Sequence, residues 1–325
     1  MLIAFSVLLM SWYVGSAVYR YALRRPKSLS SYGSWAVVTG ATDGIGKAVS
    51  HELARRGMHL LLVSRSTDRL EKVKREVEAA YPVQVNHLTV DYAALTDHDI
   101  EAIRRKLASL DVGILYNNVG MSYEHPKEFH ELTVREIQSL IHVNLMSTAI
   151  MTKLALEHMA PKRRGAIINI GSAAGEHPLP LIAGYCAAKR YIRTLTESLR
   201  TECAPHGIFV QCQIPMYVST KLAKIRRPSW FVPTPCAFAR WSVDAIGYET
   251  VVSPYWIHAL QTLAMSCVPD GIFRHAAYAF HMRIRRLHRL RDDGGSHRTT
   301  AASALADHPP PPASPCHAER TVETI

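Results

Sequence analysis

The sequence predicts a doubly wound α/β domain built on a parallel sheet, and two observations lead to this prediction. Short runs rich in Val, Ile and Leu alternate with longer segments whose apolar residues recur at helical spacing, such as Ile45, Ala48, Val49 and Leu53. The runs are apolar throughout, which is typical of strands covered by helices on both faces. The expected strands are Trp35–Thr39, Leu60–Ser64, Val83–Val90, Val112–Asn117, Ala166–Ile170 and Ile208–Ile214.

Length and composition agree with a globular protein. The chain has 325 residues, of which 48% are hydrophobic and 20% charged. This length suits one large domain or two small ones, and the composition is close to the globular average. A disordered, collagen-like or multi-span membrane protein is therefore not expected.

The segment before the first strand reads as a membrane anchor. Met1–Tyr19 contains no charged residue, and a helix of this length reaches roughly 28 Å, close to the hydrocarbon thickness of a bilayer. The first positive charges follow the segment, whereas a signal peptide carries them before its apolar run. We therefore expect residues 1–27 to form an uncleaved N-terminal transmembrane helix with a basic flank. The positive-inside tendency then places the rest of the chain in the cytosol.

The regular alternation ends at Pro215. Residues 216–240 are basic and rich in proline, and are interpreted as a loop or helical lid. Tyr255–Val268 is apolar but too short to span a bilayer, so it packs on the sheet or lies on a membrane surface; we favour packing. Residues 28–291 are expected to form the globular domain. Residues 292–325, which include HPPPPASP, are expected to be a disordered tail.

The charge balance implies an acidic partner. The chain has 38 Lys and Arg against 27 Asp and Glu, a net charge of +11. Much of this charge lies beside the N-terminal apolar run and within Arg283–Arg291, not along a face with interleaved aromatic residues. That distribution favours a membrane surface or a phosphate-bearing ligand over nucleic acid. The six cysteines show no metal-ligand spacing, so no metal site is expected.

A glycine-rich turn follows the first expected strand. Thr39–Gly46 reads TGATDGIG, and glycines permit a tight turn in which a pyrophosphate lies against the positive end of a helix. The spacing Gly-x-x-x-Gly-x-Gly is not the commoner one, but its place between a strand and a helix strongly predicts a dinucleotide site. The expected cofactor contacts in the turn are Gly40, Thr42, Asp43, Gly44, Ile45 and Gly46.

The ends of the second and third strands indicate which dinucleotide binds. The second strand ends at Arg65, and no acid occurs before Asp68. An acid here would hold the 2′-hydroxyl of NAD, whereas a guanidinium can grip a 2′-phosphate with two hydrogen bonds. Arg65 therefore predicts NADPH. Asp91 either accepts a hydrogen bond from the adenine amino group or caps the next helix, and both interpretations remain open.

A set of polar residues follows in an order that indicates a reductase. Tyr185 and Lys189 are four residues apart on an expected helix, so both project from one face. Ser172 follows the fifth strand, and ligands bind at the carboxyl ends of such strands. A Tyr-x-x-x-Lys pair alone is weak evidence. Here it is accompanied by the glycine-rich turn, by Asn117–Gly120 (NNVG) and by Asn144.

On these residues the sequence resembles the short-chain dehydrogenase/reductase family over Ser34–Pro215. The strings NNVGMSYEHP (Asn117–Pro126) and STKLAKIRRP (Ser219–Pro228) are similar to the microsomal very-long-chain 3-oxoacyl-CoA reductase branch, which includes 17β-hydroxysteroid dehydrogenases. The resemblance implies a single Rossmann-like domain and an NADPH-dependent ketoreductase. The catalytic quartet that it implies is Asn144, Ser172, Tyr185 and Lys189, and Asn118, Tyr185 and Lys189 join the expected cofactor site.

Each member of the quartet has an expected role. Tyr185 is the general acid that protonates the ketone oxygen, and the charge of Lys189 is expected to lower its phenol pKa from about 10. Ser172 can orient and polarise the carbonyl group. The family resemblance further implies that Lys189 binds the nicotinamide ribose and that Asn144 holds a water that resupplies the proton.

The substrate remains open between related alternatives. Four cations beside the expected substrate opening could attract coenzyme A phosphates or form a solvated or membrane-facing patch: Lys221, Lys224, Arg226 and Arg227. The leading hypothesis is a 3-oxoacyl-CoA reductase of fatty-acid elongation on the cytosolic face of the endoplasmic reticulum. The alternatives are a 17β-hydroxysteroid dehydrogenase and a non-catalytic NADP-binding membrane scaffold. The resemblance also implies a possible homodimer, formed through the helices carrying Asn144 and Tyr185, and possible elongation-complex partners.

Overall fold

The structure is a computed structural model and describes residues 2–225 and 227–296. Its centre is a seven-stranded sheet in the order β3-β2-β1-β4-β5-β6-β7, in which all paired strands are parallel. The strands are β1 Trp35–Thr39, β2 His59–Ser64, β3 Val85–Thr89, β4 Val112–Asn117, β5 Gly165–Ile170, β6 Ile208–Gln213 and β7 Val251–Val252. The predicted doubly wound sheet is confirmed.

Helices connect the strands and cover the sheet. They are α1 Leu2–Val18, α2 Gly44–Arg55, α3 Thr67–Ala80, α4 Asp97–Ala108, α5 Val134–Ile141, α6 Ser147–Lys162, α7 Ala183–Cys203, α8 Pro235–Asp244, α9 Trp256–Ser266 and α10 Asp270–Ser296. Local side chains set several helix starts. Thr96 and Asp99, for example, form reciprocal side-chain-to-backbone bonds at the start of α4.

Two apolar layers hold the helices on the sheet. Because successive side chains of a strand point to opposite faces, Val38 contributes to one layer and Val37 to the other. The first layer includes Leu53 of α2 and buried residues of α3 and α8. The second includes Met151 of α6 and buried residues of α4. Strands buried on both faces explain why their sequences are continuous apolar runs.

One helical stretch in the described part of the chain, Val134–Lys162, is long and apolar enough to cross a membrane by length and composition alone. It comprises α5, a π-helical turn at His142–Met146 and α6. Met151 and Leu154 of this stretch are buried against the sheet. The stretch is thus a core helix of the α/β domain.

The region after β6 differs most from the sequence expectations. The edge strand β7 was not expected, because its two residues are too few to show a pattern. Helix α8 begins at Pro235, and its Phe238 is fully buried, so the last residues of the predicted lid belong to a core helix. Helix α10 continues to Ser296, past the expected start of the tail. The remainder of that tail, 297–325, and Arg226 of the basic cluster lie outside the described residues.

The predicted anchor is a helix whose basic flank contacts the α/β domain. Helix α1 has 17 residues, and its Trp12 is 78% exposed. Beyond it, Arg20 and Arg24 both pair with Glu249, at 3.0 and 2.5 Å. Lys27 donates to the carbonyl oxygen of Gly247 at 2.5 Å. The flank is therefore fixed to the segment that precedes β7. That α1 spans a membrane stays a prediction.

Candidate active site

The glycine-rich turn lies at the switch point of the sheet, where β1 lies between β2 and β4. Gly40 and Gly44 have φ angles of +64° and +53°, which residues with a Cβ atom rarely adopt. A Cβ on Gly46 would lie 2.3 Å from the carbonyl oxygen of Gly40 and 2.4 Å from the amide nitrogen of Asn118. Asp43 caps α2 by accepting from the Gly44 amide at 2.8 Å. The backbone here has the shape of a phosphate-binding turn.

Asn118 fixes the two strand ends to each other. Its side-chain nitrogen donates to the carbonyl oxygens of Thr39 and Gly40, at 3.1 and 3.3 Å. The backbone amides of Asn118 and Val119 donate in turn to the Thr39 hydroxyl at 3.0 and 3.1 Å. These bonds fix the start of the glycine-rich turn to the end of β4. Ile45 packs against the apolar layer beneath it.

Polar groups surround the expected position of the 2′-phosphate at the end of β2. The hydroxyls of Thr42 and Ser64 are 3.0 Å apart, and Arg65 follows them with an exposed side chain. Arg69 of α3 is also exposed, and together with the hydrogen bonds from Lys221 and the Gly44 amide its charge helps to lower the pKa of Asp43 in the glycine-rich turn. Sequence reasoning missed Arg69, which lies in the first turn of α3, shortly after Arg65 and the end of β2.

Asp91 follows β3 and acts as a cap. Its carboxylate accepts a hydrogen bond of 3.0 Å from the backbone amide of Ala93. This is one of the two alternatives left open by the sequence. Contact with the adenine stays a prediction, because a carboxylate has further acceptor capacity.

Ser172, Tyr185 and Lys189 come together at the carboxyl end of β5. The hydroxyl of Ser172 accepts from the Ala174 amide at 3.1 Å and lies close enough to the Tyr185 phenol to act on its pKa. The Lys189 nitrogen lies 5.8 Å from the centre of the Tyr185 ring. It is buried and donates to the carbonyl oxygen of Ile170 at 2.8 Å. The expected helical pair thus shares one face with the serine.

Burial sets the proton affinities of this group. It raises the pKa of Tyr185 to about 12, with the Ser172 hydroxyl acting in the opposite direction. It lowers the pKa of Lys189 to about 8. The expected lowering of the Tyr185 pKa is not observed, because burial outweighs the effects of its polar neighbours. A phenol that keeps its proton at neutral pH is nevertheless the form that a general acid requires.

Asn144 lies in the π-helical turn between α5 and α6 and is fully buried. Its side-chain nitrogen donates to the carbonyl oxygens of Met121 and Leu140, at 3.1 and 3.0 Å. Its side-chain oxygen accepts from the Met121 amide at 3.2 Å. Both donor hydrogens are therefore used within the protein, and the residue positions the loop after β4. That it also holds a water stays a prediction.

Comparison with known proteins identifies the family. The family model for short chain dehydrogenases matches residues 34–229. This chain belongs to that family. A very-long-chain 3-oxoacyl-CoA reductase of Bos taurus is 40% identical over 264 residues, covering 80% of this chain and 84% of the relative. A very-long-chain 3-oxoacyl-CoA reductase-like protein of Arabidopsis thaliana is 40% identical over 274 residues, covering 82% and 86%.

Solved structures agree. A short-chain dehydrogenase from Sphingobium yanoikuyae in complex with NADPH superposes with a TM-score of 0.61 and 27% identity, covering 73% of this chain and 96% of that chain. The sequence-based identification of the family is thus confirmed. The chain is a short-chain dehydrogenase, an oxidoreductase with a nicotinamide dinucleotide site.

In this short-chain dehydrogenase the lid lies against the cofactor turn. A Cβ on Gly44 would be 3.1 Å from the Thr220 methyl group. The ammonium of Lys221 pairs with Asp43 at 2.8 Å, which lowers the pKa of that carboxyl. Lys224 donates to the backbone carbonyl of Glu124 in the loop after β4. At least one cation of the basic cluster is therefore beside the cofactor turn, which the sequence pattern did not indicate.

Two further positioning residues were missed by sequence reasoning. The Tyr123 hydroxyl accepts from the Gly184 amide at 2.9 Å and so supports the first turn of the helix that carries Tyr185. His258 of α9 is fully buried, with its ring nitrogens 3.3 Å from the Met216 amide and 3.2 Å from the Tyr217 carbonyl oxygen. Burial lowers the pKa of His258 to about 4, so a neutral ring connects α9 to the base of the lid. Tyr123 lies within Asn117–Pro126, the segment that resembles the reductase branch, whereas nothing near His258 in the sequence indicated its role.

Proposed function

We propose that this short-chain dehydrogenase reduces a 3-oxoacyl-CoA to a 3-hydroxyacyl-CoA with NADPH, as a step of microsomal fatty-acid elongation. The proposal depends on two findings taken together, the assembled site and the identity of the relatives. Ser172, Tyr185 and Lys189 are assembled at one strand end, and relatives named very-long-chain 3-oxoacyl-CoA reductases match 80% of the chain at 40% identity.

The chain has the groups that NADPH requires. The positive φ angles of Gly40 and Gly44 and the close approach at Gly46 leave the backbone free of side chains where a pyrophosphate binds. Arg65 and Arg69 supply positive charge at the end of β2, where the 2′-phosphate would lie. The Sphingobium yanoikuyae structure holds NADPH on the same fold. When bound, NADPH supplies the hydride that reduces the ketone carbon.

The residues of the chain then control the proton and the developing charge. Tyr185 donates its proton to the ketone oxygen as that oxygen becomes negative. Ser172 donates a hydrogen bond to the same oxygen and holds the ketone in place. Lys189 remains mostly protonated below pH 8, and its charge stabilises the phenolate that Tyr185 leaves behind. Asn144 keeps the loop beside Lys189 in position.

The basic lid favours an acyl-CoA over a steroid. Residues 217–240 contain five Lys or Arg and no Asp or Glu. Coenzyme A carries phosphates that such a segment attracts, whereas a ketosteroid carries none. Lys221 is engaged by Asp43, so the cations that remain for coenzyme A are those further along the lid.

Membrane attachment completes the proposal. In this proposal α1 anchors the chain in the endoplasmic reticulum membrane, and the basic residues that follow it favour a cytosolic α/β domain by the positive-inside tendency. Residues 28–291 form the catalytic domain in this proposal. The proposed protein dimerises through the helices that carry Asn144 and Tyr185, and it contacts other elongation enzymes.

The test is NADPH oxidation by detergent-solubilised full chain, with a long-chain 3-oxoacyl-CoA and a 17-ketosteroid compared side by side and Tyr185→Phe as the blank. Faster turnover of the acyl-CoA is expected. Faster turnover of the steroid would make the chain a hydroxysteroid dehydrogenase. Equal rates for wild type and Tyr185→Phe would contradict the role of Tyr185, and no turnover of either substrate by the wild type would leave only an NADP-binding scaffold.

A further inference from the structure

An exposed apolar surface lies where the lid meets α9. It consists of Trp230 and Phe231 of the lid, which are 77% and 61% exposed, and of Trp256, Leu260 and Leu263 of α9. We call these five residues the aromatic surface. A groove of about 540 Å³ runs between the two segments, and its lining includes four of the five. Exposed apolar residues gathered in one patch mark an interaction site more often than scattered ones do.

The surface is held in place from behind. Two residues of α9 are buried behind this surface: Ile257, which lines the floor of the groove, and His258, which contacts the backbone of Met216 and Tyr217. The hydroxyl of Tyr255 donates to the carbonyl oxygen of Trp230 at 3.0 Å. Helix α9 therefore packs on the domain with one face, as the sequence predicted, and presents its other face to the outside.

This surface is adjacent to the segment proposed as the membrane anchor. Tyr13 of α1 lines a cleft together with Leu263 and Ser266 of α9. Just beyond α1, the Tyr21 hydroxyl donates to the carbonyl oxygen of Ser253 at 2.9 Å. A helix that enters a bilayer beside α9 brings α9 to the level of the lipid headgroups.

The residue types of the aromatic surface are those found at the level of the lipid headgroups. Tryptophan is enriched at membrane–water boundaries, where its apolar body and polar N–H both find partners. Lys224 and Arg227 are exposed on the same lid, which contains no acid over residues 217–240. Apolar side chains flanked by cations bind surfaces that carry anionic headgroups.

We infer that the aromatic surface seats in the headgroup region of an anionic bilayer, as a second membrane contact beside α1. The inference rests on the anchor of the proposed function. The Ala173 amide donates a 3.0 Å hydrogen bond to the Pro215 carbonyl oxygen, which connects the base of the lid to the strand end that carries Ser172. A membrane contact of the lid therefore brings the substrate opening beside the bilayer. An apolar acyl chain then reaches the site from the lipid.

Photocrosslinking of the full chain tests this surface. A benzophenone amino acid is placed at Leu260 or, as the matched control, at Ala108, which is exposed at the end of α4, before the amino end of the central strand β4. Each variant is reconstituted in vesicles of phosphatidylcholine and phosphatidylserine that contain a radiolabelled lipid. Crosslinked lipid is measured after irradiation, with thermal unfolding as the check on folding, because the lid cations are also proposed to attract coenzyme A.

The expected result is a several-fold higher lipid yield at Leu260 than at Ala108. Replacing Lys224 and Arg227 by Ser should reduce the yield at Leu260 with phosphatidylserine present but not with phosphatidylcholine alone. Equal yields at the two positions in chains that float with the vesicles would overturn the surface and leave the anchor standing. A crosslink from Leu260 to a second protein chain would also overturn it. Chains that do not float would contradict the anchor and the surface together.

Discussion

The ammonium group of Lys189 donates a hydrogen bond of 2.8 Å to the carbonyl oxygen of Ile170. This bond connects α7 to the last residue of β5 and fixes a buried positive charge beneath the Tyr185 ring, 5.8 Å from its centre. The same arrangement holds Tyr185 beside Ser172, the second residue after β5. One side-chain bond thus fixes the position of Lys189 relative to the reacting phenol.

Tyr185→Phe should abolish turnover without unfolding the protein. The phenol supplies the proton, and general acid catalysis is worth about 10²- to 10⁴-fold in rate. The matched control is Tyr191→Phe on the same helix, since Tyr191 is 37% exposed and outside the site. Steady-state rates and thermal unfolding of both variants check the prediction. A Tyr185→Phe variant with more than half of the wild-type rate would refute the assigned role.

The rate of ketone reduction should fall as the pH rises above about 8. The pKa of Lys189 is lowered to about 8 by burial, so the lysine is charged below this pH and neutral above it. Loss of the charge removes the stabilisation of the Tyr185 phenolate. Measuring kcat/KM for the ketone from pH 6 to 10 at saturating NADPH checks this. A flat profile through pH 9 would contradict it.

The lowered pKa of Lys189 also affects stability. Between about pH 8 and 10.5, the unfolded chain binds a proton at this lysine that the folded protein does not. The contribution of Lys189 to the free energy of unfolding therefore rises with pH across this window. Lys189→Met should remove this rise, as measured by urea unfolding at several pH values. An unchanged pH dependence in the variant would show that burial does not lower this pKa.

Gly46→Ala should prevent cofactor binding. The added Cβ would lie 2.3 Å from the Gly40 carbonyl oxygen, so the turn must shift, at a cost of about 1–3 kcal/mol. Gly271→Ala is the control, because nothing lies within 4 Å of a Cβ at that position. Titration of each variant with NADPH, followed by tryptophan fluorescence, measures the affinity. Normal affinity in Gly46→Ala would exclude the turn as the pyrophosphate site.

Arg65→Ala should reduce the preference for NADPH over NADH. The loss of charge-assisted hydrogen bonds to the 2′-phosphate costs about 1.5–3 kcal/mol, or about 10- to 100-fold in kcat/KM for NADPH. The value for NADH should not change. Arg75→Ala is the control, since Arg75 lies further along α3 and bonds to the backbone of Glu71. An unaltered ratio of the two cofactors in Arg65→Ala would rule out this residue as the selector.

Lys221→Ala should affect the cofactor more than the substrate. Lys221 pairs with Asp43 of the cofactor turn, and both side chains are exposed, so the pair is worth about 0.2–1 kcal/mol. The KM for NADPH should rise up to about fivefold on this scale, with an unchanged KM for the acyl-CoA. Lys153→Ala is the control, because it removes an exposed ion pair with Glu157 away from the turn and the lid. An increased KM for the acyl-CoA alone would instead assign Lys221 to coenzyme A.

The parts of the fold that follow from local rules could be predicted. Strands β1 and β4 have the expected bounds, because both are continuous apolar runs bounded by turn residues. The site residues with a fixed spacing, such as Tyr185 and Lys189, were also found. A helical spacing of four places two side chains on one face whatever the rest of the chain does.

The parts that depend on contacts distant in sequence could not be predicted. Lys221 meets Asp43 only because the lid folds back over the first turn of the sheet. The role of Asn144 depends on Met121, which is brought to it by the loop after β4. The pKa of Tyr185 depends on burial, which no sequence spacing reveals. The sequence therefore predicted a lowered pKa, whereas the pKa in the structure is raised.

The most direct test of the account is the transfer of label from cofactor to product. The full chain is incubated with a 3-oxoacyl-CoA and NADPH doubly deuterated at the nicotinamide C4, and the product is analysed by mass spectrometry. The account predicts a 3-hydroxyacyl-CoA that carries one deuterium at C3 with wild type and no such product with Tyr185→Phe. A product without deuterium, or the same labelled product from Tyr185→Phe, would contradict it.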